Sequence, residues 1–110
     1  MEKLHCSPVY QVTYGNGYFS NHVAEINRLL QKNSPAIHYD GDDIEYADRL
    51  EIPRNDIVAL INKITIEREK FNLWLAEKGF YYTPEQFIKI LQEWVNDSDP
   101  RNEYIVLTWF

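Results

Sequence analysis

A chain of 110 residues with 17 acidic and 11 basic side chains, a net charge of −6 and 45% apolar content is of the size at which one hydrophobic core suffices. Its 15% aromatic share argues against disorder. No run of Lys or Arg offers a track for a phosphate backbone or an anionic membrane, and no window approaches a membrane span, so direct nucleic-acid binding and membrane association are disfavoured. The opening residues, Met1 to Cys6, have no apolar stretch of leader length behind them, and the lone Cys6 cannot form an internal disulfide. A cytoplasmic protein is expected, with residues 1–110 as one domain.

Residues Pro8 to Tyr14 are rich in β-branched and aromatic types, with Tyr10, Val12 and Tyr14 on one face at period two, and predict a first strand. Gly15-Asn16-Gly17 ends it. Ser20 or Asn21 is then placed to cap a helix whose Val23, Ile26, Leu29 and Leu30 share a face, and Asn33 with Pro35 stops that helix. Ala36 to Tyr39 is a short strand. Asp40-Gly41 signals a hairpin into a second strand, Ile44 to Ile52, where Ile44, Tyr46, Leu50 and Ile52 alternate with polar residues and Asp48 is the polar exception on the inward face.

Pro53 lacks the amide a ladder needs and marks the change to helix. One long helix is predicted to about Lys78, with Ile57, Leu60, Ile61, Ile64, Phe71, Trp74 and Leu75 at spacings of three and four and an interruption near Glu67 and Arg68. Gly79 suits the left-handed position past its end, with Phe80 folding back on Leu75. Thr83-Pro84-Glu85-Gln86 has the pattern of a capping box, with Pro84 at the first helical position and Tyr82 against Phe87 as a staple. That helix turns Phe87, Ile90, Leu91, Trp94 and Val95 inward. After a polar loop from Asn96 to Asn102, Tyr104 to Phe110 is a strand apolar on both faces, the pattern of a strand covered on both sides. The expected fold is therefore α+β, in the order β-α-β-β-α-α-β, with a mostly antiparallel sheet of about four strands and helices packed on it.

The charge is unevenly spread. Between Asp40 and Glu51 stand six acids (Asp40, Asp42, Asp43, Glu45, Asp48 and Glu51) against one base, Arg49, so twelve residues carry five of the six net negative charges. Such a one-sided field selects partners without deciding the fold. Tyrosine is the other unusual item, eight in all, and Tyr39 and Tyr46 flank the acids. Tyrosine suits interfaces because a rigid amphipathic ring gives contact area at low entropy cost. Tyr39 and Tyr46 are the candidate anchors, with packing on the sheet favoured for Tyr46, which shares a face with Ile44 and Leu50.

Tyr39-Asp40-Gly41-Asp42-Asp43 resembles, over five residues, the Gly-Asp-Asp hairpin with which template-dependent RNA polymerases hold catalytic metals. A chain this short has no room for the other parts of a polymerase, and Asp and Gly are what such a turn demands anyway. The stretch also lacks the Asp-x-Asp-x-Asp-Gly spacing and distal Glu of a calcium-binding EF-hand loop. His5, His22 and His38 have no zinc-site spacing with Cys6. Gly15-Asn16-Gly17-Tyr18 lacks the third Gly and the Lys of a phosphate-binding loop. No catalytic residue, metal or cofactor is assigned from the sequence.

The function expected is a small interaction module, such as an inhibitor, immunity or anti-defence factor, that meets a basic protein partner. Tyr39, Asp40, Asp42, Asp43, Glu45 and Glu51 form its expected contact surface. The alternative is a small enzyme or ligand-binding domain with a pocket between sheet and helices, where Asp48, His38 and Tyr46 would be the residues to inspect. A homodimer through a sheet edge or the long helix is compatible with either. Because the doubly apolar strand comes last, removing everything after Leu107 is predicted to leave the protein insoluble. A soluble, cooperatively melting truncation, read by scanning calorimetry, would exclude a central place for that strand.

Overall fold

The computed structural model describes residues 9–12, 22–39, 41–47, 49–98, 100–101 and 103–109, with the backbone alone for 9–12, 108 and 109. In chain order the elements are β1 (Val9–Val12), α1 (Val23–Asn33), β2 (His38–Tyr39), a 3₁₀ turn (Ile44–Tyr46), β3 (Arg49–Pro53), α2 (Arg54–Ile66), α3 (Arg68–Glu77), α4 (Pro84–Asp97) and β4 (Tyr104–Trp109). The class is α+β. Strands β2, β3 and β4 are antiparallel, β1 runs parallel to β4, and the sheet order is β1-β4-β3-β2. The segment that is apolar on both faces thus lies inside the sheet, with Ile105, Val106 and Leu107 all inaccessible to solvent.

Register puts the core on one face. Leu50 lies opposite Leu107 and Ile52 opposite Ile105, and these four belong to one buried cluster with Ile26, Leu30, Ile57, Leu60, Phe87 and Trp94. Burying Trp94 and Phe87 completely places about 3–5 kcal/mol of stability on each, relative to alanine. On β3 the alternate residues Arg49, Glu51 and Pro53 stay partly accessible, as period two requires.

Helix ends follow the local chemistry. Thr83 Oγ1 accepts from the Gln86 amide at 3.2 Å while Gln86 Oε1 accepts from the Thr83 amide at 2.8 Å, completing the capping box with Pro84 at the first turn. Tyr82 packs on the core. At the end of α3, Gly79 has φ +80°, the Phe80 amide donates to Leu75 and the Gly79 amide to Ala76, which together satisfy the last-turn carbonyls. The Phe80 ring then lies 5.5 Å from that of Trp74. Arg54 closes the opposite corner by donating to the Val95 carbonyl and to Ser98 Oγ near the end of α4. That helix continues to Asp97, into the stretch expected as loop.

Two expectations are corrected. The long helix is two helices, because the backbone at Glu67 (φ −105°, ψ 40°) leaves the helical region where the apolar stripe is interrupted. The predicted strand from Ile44 to Ile52 exists only as Arg49–Pro53, and the segment before it is a loop with a 3₁₀ turn. The side chain of Asp43 accepts from the Glu45 amide at 3.0 Å, and this local bond competes with a ladder. The turn at Gly15-Asn16-Gly17, the caps Ser20 and Asn21, and Tyr14 lie outside the described residues. Helix α1 starts without a side-chain cap, its first turn closed by the His22 carbonyl.

An exposed ion pair ties α3 to α4: the Arg68 guanidinium grips both carboxylate oxygens of Glu85, through Nε and through Nη2 at 3.0 Å. The hydrogen bond from Arg68 holds the Glu85 carboxyl below its ordinary value near 4.5 and raises Arg68 in turn. A depressed carboxylate stabilises the fold above its ordinary range and ceases to do so as pH falls through the folded-state value. Glu85→Gln should therefore melt below wild type at neutral pH, and the gap should close on acidification below about pH 4. Thermal melts of both proteins across that range check it.

Candidate functional site

The loop between β2 and β3 carries most of the expected contact residues, and its shape is imposed from α1. Asn27 is fully buried, and its Nδ2 donates to the carbonyls of Ile44 and Ala47 at 2.8 and 3.2 Å. Ile44 and Ala47 are themselves buried, so the turn is held by packing and by one amide at the same time. Among the loop residues described, Gly41 takes the positive φ of 93° that favours glycine.

The expected acids are put to different uses. Glu45 pairs with Arg28 of α1, which also reaches Glu25 at 3.8 Å, and the Glu45 bond raises the Arg28 pKa. Glu51, half-buried on the polar face of β3, is held by Arg49 Nη2 at 3.1 Å. Asp43 caps the 3₁₀ turn while remaining exposed, and Asp42 is exposed, with no ion pair among the described residues. Asp40 and Asp48 lie outside the described residues. Of the four expected carboxylates among the described residues, two are thus neutralised by the chain's own arginines. The displayed charge is narrower than its count suggests.

The structure partly buries one of the two tyrosines and exposes the other. Tyr39, a candidate anchor, is half-buried against the core, with its hydroxyl accepting from Gln31 Nε2 at 3.4 Å. Tyr46, expected to pack on the sheet, is 78% exposed. The cause is the 3₁₀ turn, which breaks period two after Ile44 and so turns Tyr46 to solvent. His38 sits at the start of β2 with its ring 5.8 Å from that of Tyr104. His5 and Cys6 lie outside the described residues, and among the described residues no three His, Cys, Asp or Glu side chains gather as a metal site. No helix among them is long and apolar enough to cross a membrane.

A second feature was not visible in the sequence. An open groove of roughly 470 Å³ runs between α1 and the α2–α3 pair, and not between sheet and helices. Leu29, Leu60, Ile64, Phe71 and Trp74 give it an apolar lining. Arg28, Lys32, Lys63, Lys70 and Lys78 bring five of the chain's 11 basic side chains to it, against Glu25 and Glu67. In the sequence these cations are scattered over fifty residues, and only the spacing of four between Arg28 and Lys32 hints at a shared helix face, since Lys63 and Lys70 fall on different helices.

No protein-family model, curated protein or solved structure matches this chain. Function is therefore read from these side chains alone.

If Asn27 organises the loop, Asn27→Ala leaves the Ile44 and Ala47 carbonyls buried without that donor, at a cost of about 1–3 kcal/mol. The expected result is a melting temperature lower by roughly 4 °C or more, with faster amide exchange at Tyr46 and Ala47.

Proposed function

We propose that the protein is a small interaction module that docks on a basic protein surface through the loop at residues 40–48. The observation that carries this is the exposure of Tyr46 on a turn that is otherwise pinned: Ile44 and Ala47 are buried on either side of it, and Asn27 holds both carbonyls. A large aromatic ring in solvent on a rigid support has little ordering entropy left to lose on binding. Tyrosine at such a position is a common interface anchor.

Asp42 and Asp43 stand exposed just before the turn and supply the charge that steers a basic partner into contact. Glu45 and Glu51 have a different part. Glu45, bound to Arg28, ties the loop to α1, Glu51 pairs with Arg49 within its own strand, and both contribute less field outward. Asp40 and Tyr39 flank the contact in sequence, and Tyr39 supports it from within the core.

The experiment replaces the outward groups and spares the ones that hold the loop. Asp42→Lys with Asp43→Asn removes the charge while leaving an amide oxygen to cap the Glu45 N–H, and Tyr46→Ala removes the ring. Co-purification from the native cell identifies the partner, and titration calorimetry then compares the variants. Each should lower affinity about tenfold or more, with the melting temperature within about 2 °C of wild type. Undiminished binding by the combined variant would overturn the proposal.

A further inference from the structure

On the face that carries the groove, the chain's charge is reversed. Five cations line it against two carboxylates, and Arg28 is itself paired with Glu45, so the four lysines leave a surplus of two positive charges around an apolar lining, in a protein whose net charge is −6. Lys32, Lys70 and Lys78 make no ion pair among the described residues, although acids outnumber bases in the chain. Lys63 donates only to the neutral Asn33 Oδ1, at 3.2 Å. The charge of these four lysines thus collects where no carboxylate among the described residues pairs with it.

The lining is rigid. Phe71 stacks on Trp74 at 5.3 Å and meets Phe87 edge-on at 5.0 Å, while Trp74 also touches the ring of Phe80 at 5.5 Å. Phe80 in turn stacks on His22 at 4.1 Å. Between α1 and this aromatic cluster, Leu29, Leu60 and Ile64 complete an aliphatic strip.

We infer that this groove docks an acidic amphipathic helix of a partner protein, its apolar stripe on Leu60, Ile64 and Trp74 and its flanking Asp and Glu side chains on the lysines of the two banks. Charge complementarity selects that occupant. Cations come from both banks, Arg28 and Lys32 on α1 and Lys63, Lys70 and Lys78 on and after α2 and α3. An apolar stripe bordered by carboxylates on both sides matches that distribution. A single-chain amphiphile carries one charge at one end and would leave most of these lysines unused. A nucleic-acid strand would need aromatic faces open for stacking, and those of Phe71 and Trp74 are turned to each other. The two surfaces share Arg28, which lines the groove and binds Glu45 of the loop, but their occupants are of opposite charge and their other contact residues differ, so each proposal has its own test.

The test uses the full chain and a fluorescein-labelled helical peptide of about four turns, leucines on one face and glutamates on both flanks. Fluorescence anisotropy should show saturable binding that weakens with added salt and falls at least tenfold in Lys63→Glu/Lys70→Glu. Both lysines are exposed, so a melt of the variant should match wild type. If it does not, Lys32→Glu/Lys78→Glu takes its place. The Asp42, Asp43 and Tyr46 variants should bind the peptide as wild type does, which separates failure here from failure of the loop proposal. Equal binding of a peptide with lysines for glutamates would overturn the inference, as would unchanged affinity in both charge-reversed pairs or no saturation below about 1 mM. Tighter binding of laurate or of oligothymidylate than of the acidic peptide would overturn it too. So would lysine-dependent self-association in sedimentation, which would make a second copy the occupant.

Discussion

A strand without access to solvent has nowhere to send its amides except to other strands, and β4 is in that position over Ile105, Val106 and Leu107. It meets the requirement by pairing with β3 on one side and β1 on the other, which joins residues near the two ends of the chain. The consequences spread outward. Leu107 and Ile105 fix where Leu50 and Ile52 face, those four side chains share one core with α2 and α4, α3 packs on α4 and α2, and α1 packs on the 3₁₀ turn.

The two proposed surfaces depend on that frame in different ways. The Tyr46 loop is built by a single buried amide: Asn27 is the only fully buried polar residue in the first half of α1, and both of its donor bonds go to the loop. The groove is built mainly by apolar packing, with the Lys63–Asn33 hydrogen bond joining its two banks, from three helices whose lysines make no ion pair among the described residues. Arg28 touches both, since it lines the groove and binds Glu45 of the loop. One helix face therefore separates a locally acidic surface from a locally basic one. Opposite fields on one small domain keep two different partners apart and make like-charged competitors unfavourable at each.

Charge counting misjudged the loop for a physical reason. Along a sequence Glu45 and Glu51 look the same as Asp42, but a carboxylate two residues from Arg49 on one strand face meets that guanidinium, and one that folds over α1 meets Arg28. The tyrosines went astray through one wrong period. Reading Ile44 to Ile52 as a continuous strand put Tyr46 beside Leu50, whereas an Asp side chain that bonds two residues ahead offers the backbone a turn, and a turn reverses which side chains point inward.

The α+β class, the inward apolar residues of the helices, the capping box at Thr83, the stop at Gly79 and the place of β4 were legible from the chain, because each depends on neighbours within about one helical turn or on a simple period, whereas the buried Asn27 was not. The break at Glu67 was visible as a gap in the apolar stripe, though not as two helices. Only the tertiary structure decided which acids face water, which tyrosine is free, and that five cations spread from Arg28 to Lys78 meet around one groove. These are contacts between residues far apart in the chain. Their partners are chosen by how the helices lie across the sheet, and no local rule carries that information.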